Sequence, residues 1–171
     1  GGLAILAAWG YTGGPRPYGY LGLGELFVFV FFGLVATVGT TYLAIERIPG
    51  VTWVAATGVG FLACALLVIN NLRDIPTDTA VGKRTLAVRI GDQWTRRLYA
   101  SLVVGAFIVA AVCAGERRWS LLALGALSIS REPIRKVLDG ADGKDLIPIL
   151  GTTGQTQLAY GLLFGIGLAL G

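Results

Sequence analysis

Long uncharged, apolar stretches alternate with short charged ones along this 171-residue chain. The four longest uncharged stretches have 17 to 26 residues and lie at 26–45, 51–72, 98–114 and 146–171. Because a helix rises about 1.5 Å per residue, about 20 apolar residues cross the core of a bilayer. Each stretch is therefore long enough, or nearly so, to span a membrane as a helix. A fifth span is expected at 119–138, provided that the helix of the uncharged residues 119–130 continues to Leu138.

The first nine residues are apolar too, and we interpret them as the end of a helix whose beginning is missing. They contain neither a starting methionine nor the basic stretch that opens a signal peptide. The pattern predicts an all-α fold, a polytopic transmembrane helical bundle of about five spans plus the end of another. We expect residues 1–171 to form a single transmembrane domain and to be a fragment of a longer bundle.

The composition excludes several other classes of protein. Hydrophobic residues make up 54% of the chain and charged residues only 14%, whereas an ordinary soluble domain is about one quarter charged. A chain this apolar, with a net charge of +4, is not disordered. The absence of histidine excludes histidine metal sites, Ser-His-Asp triads and a histidine general base. The two cysteines, Cys64 and Cys113, lie inside apolar stretches, which excludes a disulfide scaffold.

The charged residues are concentrated in two segments. Residues 73–97 and 131–145 together hold 17 of the 24 charged side chains. Alternate loops lie on opposite sides of a membrane. The loops at 10–24, 73–97 and 131–145 carry eleven lysines and arginines, against three in the loops at 46–50 and 115–118. Because basic residues are enriched in cytoplasmic loops, we expect the first set in the cytoplasm and the C-terminus on the far side.

Oxygen-bearing side chains recur at every fourth position near the end of the second apolar stretch. Asn70, Asp74 and Asp78 would share one face of a helix, about 6 Å apart along its axis. Two carboxylates and an amide oxygen suit Mg²⁺, which takes one or two protein carboxylates and completes its shell with water and substrate phosphate. Ionisable residues at the end of a membrane helix are functional by default. We therefore expect a metal–phosphate site here.

Pro76 changes the geometry of this segment. It disfavours a helical conformation of the residue before it and lacks a backbone donor, so we expect the span to end or kink near Asp74. A short new helix can begin with Pro76 in its first turn. Lys83 and Arg84 follow Gly82 directly, and cations beside a carboxylate metal site fit a diphosphate. The segment has neither the Walker P-loop pattern nor the ligand spacing of an EF-hand.

A plainer interpretation of this segment is a solvated cytoplasmic loop that obeys the positive-inside rule. It accounts well for Arg89, Arg96 and Arg97. It accounts poorly for Asp74 and Asp78, because acidic residues contribute little to membrane orientation.

A polar cluster interrupts the last apolar stretch. Its members are Thr152, Thr153, Gln155, Thr156 and Gln157. Because polar groups facing lipid are costly unless they are hydrogen-bonded, we expect them to face the interior of the bundle.

Three segments resemble the UbiA superfamily of intramembrane prenyltransferases. The run NNLRDIPTDTAVGKRTLAVRIG, residues 70–91, is similar to the second aspartate-rich motif of that superfamily. Its continuation GKRTLAVR is most similar to the branch that prenylates 1,4-dihydroxy-2-naphthoate in menaquinone synthesis. The segments YTGGPRPYGYLGLGE, residues 11–25, and LAYGLLFGIGLAL, residues 158–170, resemble the same branch.

The resemblance implies a bundle of nine transmembrane helices whose two aspartate-rich motifs face each other at the cytoplasmic side. No segment of this chain matches the first motif. The chain would therefore correspond to the later half of the family fold, from the end of helix four through helix nine. A multi-pass protein of the cell inner membrane, with its active site facing the cytoplasm, is the implied localisation.

The resemblance also implies a reaction. The enzyme would transfer a polyprenyl group from polyprenyl diphosphate to 1,4-dihydroxy-2-naphthoate, with loss of CO₂ and diphosphate, giving demethylmenaquinone. Mg²⁺ is the implied cofactor. The implied partners are polyprenyl diphosphate, the aromatic acid and the lipid bilayer, and no nucleic acid. The fragment is expected to be inactive alone.

The resemblance assigns roles to residues of the motif. The implied catalytic residues are Asp74, Asp78 and Lys83. The implied metal ligands are Asp74, Asp78 and Asn70. The implied diphosphate-binding residues are Arg73, Lys83, Arg84 and Asn71.

Tyr11 and Tyr18 lie in a Gly/Pro-rich loop on the same predicted side of the membrane as the motif. They fit a wall of the pocket for the aromatic acceptor. The alternative interpretation is an aromatic belt at the membrane interface.

Two other functions are compatible with parts of this pattern. One is a prenyltransferase of the same superfamily with another acceptor, such as a hydroxybenzoate or homogentisate, against which the 11–25 segment argues. The other is a membrane transporter fragment with Asp74 and Asp78 as an ion site. Transporters place such sites near the bilayer midplane, whereas these carboxylates lie at the end of a span beside a basic loop.

Overall fold

A computed structural model describes residues 2, 9–10, 13 and 21–171, and every regular element within 21–171 is a helix. The helices are α1 (Gly24–Ile45), α2 (Gly50–Arg73), α3 (Ile75–Ala80), α4 (Leu86–Ile90), α5 (Asp92–Cys113), α6 (Leu127–Leu138) and α7 (Leu146–Leu170). Residues Phe29–Val35 of α1 are wound as a π-helix. The 3₁₀ helices Arg118–Ala126 and Gly143–Asp145 lead into α6 and α7. The predicted all-α fold class is confirmed.

Three helices of the described part of the chain, α1, α2 and α5, are long and apolar enough to cross a membrane. They correspond to three of the five predicted spans. The expected continuation of the predicted span at 119–138 to Leu138 is confirmed, because the 3₁₀ helix that starts at Arg118 runs directly into α6. Helix α7 is 25 residues long, but its threonines and glutamines lower its hydropathy. Membrane crossing by α6 and α7 stays a prediction.

Helix α2 lies at the centre of the bundle, where it packs against α1, α5 and α7. Its contact with α1 depends on two glycines. A Cβ atom at Gly33 would lie 2.6 Å from Cα of Gly60, which is closer than such atoms approach. The two backbones therefore touch at these glycines, as small residues allow in membrane helices. Tyr99 and Phe107 of α5 are buried in the core that α2 forms with its neighbours.

The loops that carry most of the charge lie at one end of the bundle. Nη1 of Arg96, near the start of α5, donates to the carbonyl oxygens of Val137 and Ala141 beside the end of α6, each at 2.7 Å. Nδ2 of Asn71, near the end of α2, donates to Oε1 of Glu25 at the start of α1, at 3.0 Å. The start of α1 and the loops that follow α2 and α6 therefore share one end, as the charge count predicts. We call it the charged end. The side of the membrane that it faces stays a prediction.

Arg96 is not the solvated loop residue that the charge pattern indicates. It is only 8% exposed. Its Nε and Nη2 atoms donate to the carboxylate of Asp92 at 2.6 and 2.8 Å, in addition to the two carbonyl contacts. The interpretation of Arg96 as a solvated charge is therefore wrong, because its guanidinium joins the start of α5 to the end of α6.

The polar cluster of α7 is partly turned inward. Thr153 and Thr156 are buried. The hydroxyl of Tyr99 donates to Oγ1 of Thr153 at 2.7 Å, and Thr153 in turn donates to the carbonyl of Ile149 at 2.8 Å. Gln155 is exposed, so the expectation that the whole cluster faces the interior is wrong for this residue.

Candidate functional site

The segment after α2 breaks where the proline predicts. Helix α2 ends at Arg73, Asp74 stands at the junction, and α3 begins with Pro76 in its first turn. The carbonyl of Asp74 accepts hydrogen bonds from the amide of Asp78 at 2.8 Å and the hydroxyl of Thr77 at 3.0 Å. The chain therefore resumes a helical course at once, and the two aspartates remain one turn apart across the break.

Asp74 forms an ion pair with the residue before it. Nε of Arg73 lies 2.7 Å from Oδ1 of Asp74, and Nη2 lies 3.0 Å from Oδ2. This is a forked, two-point contact of the kind that arginine makes with carboxylates. Both side chains are about 30% exposed, at 30% and 29%. The pair is therefore open to exchange with solvent or a ligand.

Asp78 is more deeply placed, and its cation comes from further along the chain. Its side chain is only 10% exposed. Nζ of Lys83 donates to Oδ1 at 3.2 Å and lies 3.1 Å from Oδ2, the latter without hydrogen-bond geometry. The amide of Lys83 also donates to the carbonyl of Asp78 at 2.9 Å. Two links thus fold residues 78–83 into a tight loop that holds the ammonium group against the carboxylate.

The loop also presents one unpaired cation. Gly82 has a φ of +73°, which residues with a Cβ rarely adopt, and this turn reverses the chain after α3. Oγ1 of Thr85 then accepts from the amide of Val88 at 3.4 Å and caps α4. Arg84, between these points, is exposed. Within residues 21–171 its guanidinium has no ion-pair partner, and only its carbonyl is engaged, by Arg89 at 3.0 Å.

The two asparagines before the break have different surroundings. Asn71 is 5% exposed, and its side-chain amide donates to Glu25. Asn70 is half-buried, and its side chain forms no hydrogen bond with the described residues. Of the two, Asn70 therefore has the less engaged side chain.

Comparison with known proteins places this site in a family. The sequence profile of the UbiA prenyltransferase family matches residues 1–143. The chain belongs to this family. It is 44% identical, over its whole length, to a 1,4-dihydroxy-2-naphthoate octaprenyltransferase of Mycobacterium tuberculosis, of which it covers 59%. It is 40% identical to the enzyme of the same name from Escherichia coli, with 99% of the chain and 56% of that relative aligned.

A more distant UbiA relative is a 2-carboxy-1,4-naphthoquinone phytyltransferase of Synechocystis, 28% identical over 80% of the chain and 45% of that protein. No solved structure gives a significant match. The chain thus spans between half and two thirds of the octaprenyltransferases from M. tuberculosis and E. coli.

The UbiA motif offers a divalent cation two carboxylates and one amide oxygen. Within the described residues, no group of three or more histidine, cysteine, aspartate or glutamate side chains forms a complete metal cage. Mg²⁺ does not need one, because water and substrate phosphate complete its shell. Oδ2 of Asp78 is buried and accepts no hydrogen bond from the described residues, and its contact with Lys83 at 3.1 Å is an ion pair alone. The donor set therefore fits Mg²⁺ held jointly with a phosphorylated substrate.

Two of the predicted UbiA site residues lie outside the described part of the chain. These are Tyr11 and Tyr18, assigned to the acceptor pocket. Their placement stays a prediction.

Sequence reasoning missed one residue at the charged end. Glu25 is the acidic side chain in the first turn of α1, and it contacts Asn71. The signal was present in the sequence. A lone carboxylate at the head of an apolar span is energetically costly and therefore indicates a functional residue.

Proposed function

We propose that this chain is the part of a membrane prenyltransferase that holds the diphosphate of a polyprenyl donor. The full enzyme would transfer the polyprenyl group to 1,4-dihydroxy-2-naphthoate, releasing CO₂ and diphosphate and giving the reduced, quinol form of demethylmenaquinone. The observation that carries the proposal is the pairing of Asp74 with Arg73 and of Asp78 with Lys83 at the end of a membrane helix. The names of the relatives support the choice of acceptor.

Without a ligand, each of the two carboxylates in the site is neutralised by a cation of the chain. This arrangement supports an exchange in which both carboxylates and both cations turn to a bound ligand. Each carboxylate has one cation within 3.2 Å. A diphosphate with a divalent cation brings both signs of charge to the same place. Asp74, Asp78 and Asn70 would hold Mg²⁺, and Arg73 and Lys83 would turn to the diphosphate oxygens. Arg84, exposed and unpaired among residues 21–171, would add a third positive charge.

These side chains act on the leaving group. When bound, Mg²⁺ supplies Lewis-acid neutralisation of the departing diphosphate. Lys83 and Arg73 stabilise the negative charge that grows on the diphosphate as the allylic C–O bond breaks. The aromatic ring then attacks the allylic carbon. Closure of the complete site around the substrates would exclude water, which would otherwise capture the allylic cation.

The chain's three candidate spans and its family make it a multi-pass membrane protein. We further propose the cell inner membrane as its location, with the charged end facing the cytoplasm. The support is the excess of lysine and arginine in the loops of that end.

The identity of the acceptor is tested by assaying the full-length protein that carries this chain with one candidate acceptor at a time. Membranes containing it are incubated with labelled polyprenyl diphosphate, Mg²⁺ and either dihydroxynaphthoate, hydroxybenzoate or homogentisate. We expect labelled product and diphosphate release with dihydroxynaphthoate alone. Product only with another acceptor would contradict the proposed substrate, and metal-independent activity would contradict the metal role.

Lys83→Ala is expected to weaken binding of the prenyl diphosphate by about 10-fold, because one charge-assisted contact contributes about 1.5 kcal/mol. The measurement is the KM for polyprenyl diphosphate at saturating acceptor. Lys144→Ala, which removes an exposed lysine from the loop before α7, is the matched control. An unchanged KM in the Lys83 variant would count against the assignment of this residue to the diphosphate.

A further inference from the structure

We propose that Glu25 binds a ring hydroxyl of the aromatic acceptor and thereby orients the ring for attack. This inference deepens the proposed function and rests on it. The carboxylate lies at the head of α1, which places it at the charged end beside the last turns of α2.

Two contacts fix Glu25 against α2. Nδ2 of Asn71 donates to Oε1 at 3.0 Å. Sγ of Cys64, two turns earlier on α2, donates to the backbone carbonyl of Glu25 at 3.1 Å. Both the backbone and one carboxylate oxygen are therefore held, and the second oxygen has a defined position.

That second oxygen has no partner among the residues that the structure describes. Oε2 of Glu25 is buried and accepts no hydrogen bond. None of the four ion pairs in the described part of the chain includes Glu25. A buried carboxylate oxygen without a donor is costly, and such atoms in native structures call for an explanation. The missing partner is a hydrogen-bond donor.

The substrates of the proposed reaction differ in what they can donate. The diphosphate is an anion rich in acceptors, and the prenyl chain has no polar hydrogen. The cations Arg73 and Lys83 of the charged end are already paired with Asp74 and Asp78. The dihydroxynaphthoate ring carries O–H groups. It is therefore the reactant whose chemistry matches Oε2 of Glu25.

An O–H donor bound to a carboxylate forms a short, strong hydrogen bond. Such a bond draws the hydroxyl proton toward Glu25 and raises the electron density of the ring. It also fixes the ring in one orientation relative to α2, whose end carries Asp74. Glu25 would thus determine which ring is accepted and which carbon is presented.

The test combines a variant of the protein with a variant of the acceptor. Glu25→Gln keeps an oxygen that accepts from Asn71 but replaces the free oxygen with a donor. The acceptors are dihydroxynaphthoate and its two mono-O-methyl ethers, each lacking one O–H. The full-length protein is assayed for kcat/KM with each acceptor, for KM of the prenyl diphosphate, and for its Mg²⁺ requirement.

We expect the unmodified protein to discriminate against one of the two ethers by about 10- to 100-fold, the range for loss of a hydrogen bond to a charged group. In Glu25→Gln this discrimination should fall to within about threefold. KM for the prenyl diphosphate and the Mg²⁺ requirement should not change. Glu46→Gln, which alters the exposed glutamate at the other end of α1, should behave as the unmodified protein does.

The possible outcomes separate the two proposals. Equal discrimination in the unmodified and Glu25→Gln proteins overturns the role of Glu25 while leaving the prenyltransferase activity established. A changed Mg²⁺ requirement or a raised KM for the diphosphate assigns Glu25 to the metal site and also overturns the inference. If the unmodified protein prenylates no naphthoate, the proposed function fails and this inference fails with it. Should Glu25→Gln not fold, Glu25→Asp, which keeps the charge but shortens the reach, should show the same loss of discrimination.

Discussion

Asp78→Asn is expected to lower the rate of prenyl transfer by at least about 100-fold in the full-length protein, without preventing its insertion into the membrane. The side chain is 10% exposed, and both of its oxygens lie within 3.2 Å of the ammonium of Lys83. Asparagine has nearly the same shape but no charge. It would hold a divalent cation poorly and would leave Lys83 without its partner in the ligand-free state.

The measurement is the initial rate of labelled prenyl transfer over a range of Mg²⁺ concentrations. Asp142→Asn provides the matched control, because Asp142 is exposed in the loop before α7 and has no ion-pair partner among the described residues. We expect that control to retain normal activity. An Asp78→Asn protein that works within about threefold of the unmodified one would remove the main support for the proposed metal site.

Much of this site could be predicted because its geometry is local. The proline rule places the end of α2 near Asp74, and the structure has it there. The carboxylates stay close because they are four residues apart and the helical course resumes after Asp74. Lys83 reaches Asp78, five positions earlier, because the chain turns at Gly82. Contacts between residues so near in sequence follow from backbone geometry alone.

The surroundings of the asparagines could not be predicted in the same way. Asn71 was assigned to the diphosphate by its place in the motif, but its amide donates to Glu25, 46 residues earlier. That contact depends on how α1 crosses α2, which is set by the close approach of Gly33 and Gly60. A crossing of two helices cannot be derived from the spacing of residues within either one. The assignment of Asn71 to the diphosphate stays a prediction.

The charge pattern was informative about ends of helices but not about burial. It placed the loops after α2 and α6 at the same end, which Arg96 confirms by its contacts with Val137 and Ala141. It could not distinguish Arg96 from its neighbour Arg97, since both count equally in a sum of basic residues. The four-residue spacing between Asp92 and Arg96 was the available signal, because such pairs meet on one face of a helix.

Arg96→Ala is expected to lower the free energy of unfolding by about 2–4 kcal/mol, which is mostly the cost of leaving buried acceptors unsatisfied. The guanidinium donates to two carbonyls beside the end of α6, each at 2.7 Å. Its ion pair with Asp92 contributes less, because the aspartate side chain is 58% exposed. Arg97→Ala is the matched control. Arg97 is exposed and lies over the ring of Trp94 at 4.9 Å, so its loss should cost less than about 1 kcal/mol.

The stability of both variants is measured by thermal unfolding in detergent. Unfolding is monitored by the reaction of a thiol-specific dye with Cys64 and Cys113, whose free thiols are buried in the folded protein. Equal stability of the Arg96 and Arg97 variants would contradict the prediction.

Arg96→Lys separates the effect of charge from the effect of side-chain geometry. Lysine keeps the positive charge but not the planar fork that reaches Asp92 and the end of α6 at once. We therefore expect Arg96→Lys to recover less than half of the lost stability, because the contact joins two helices through several donors rather than through charge alone.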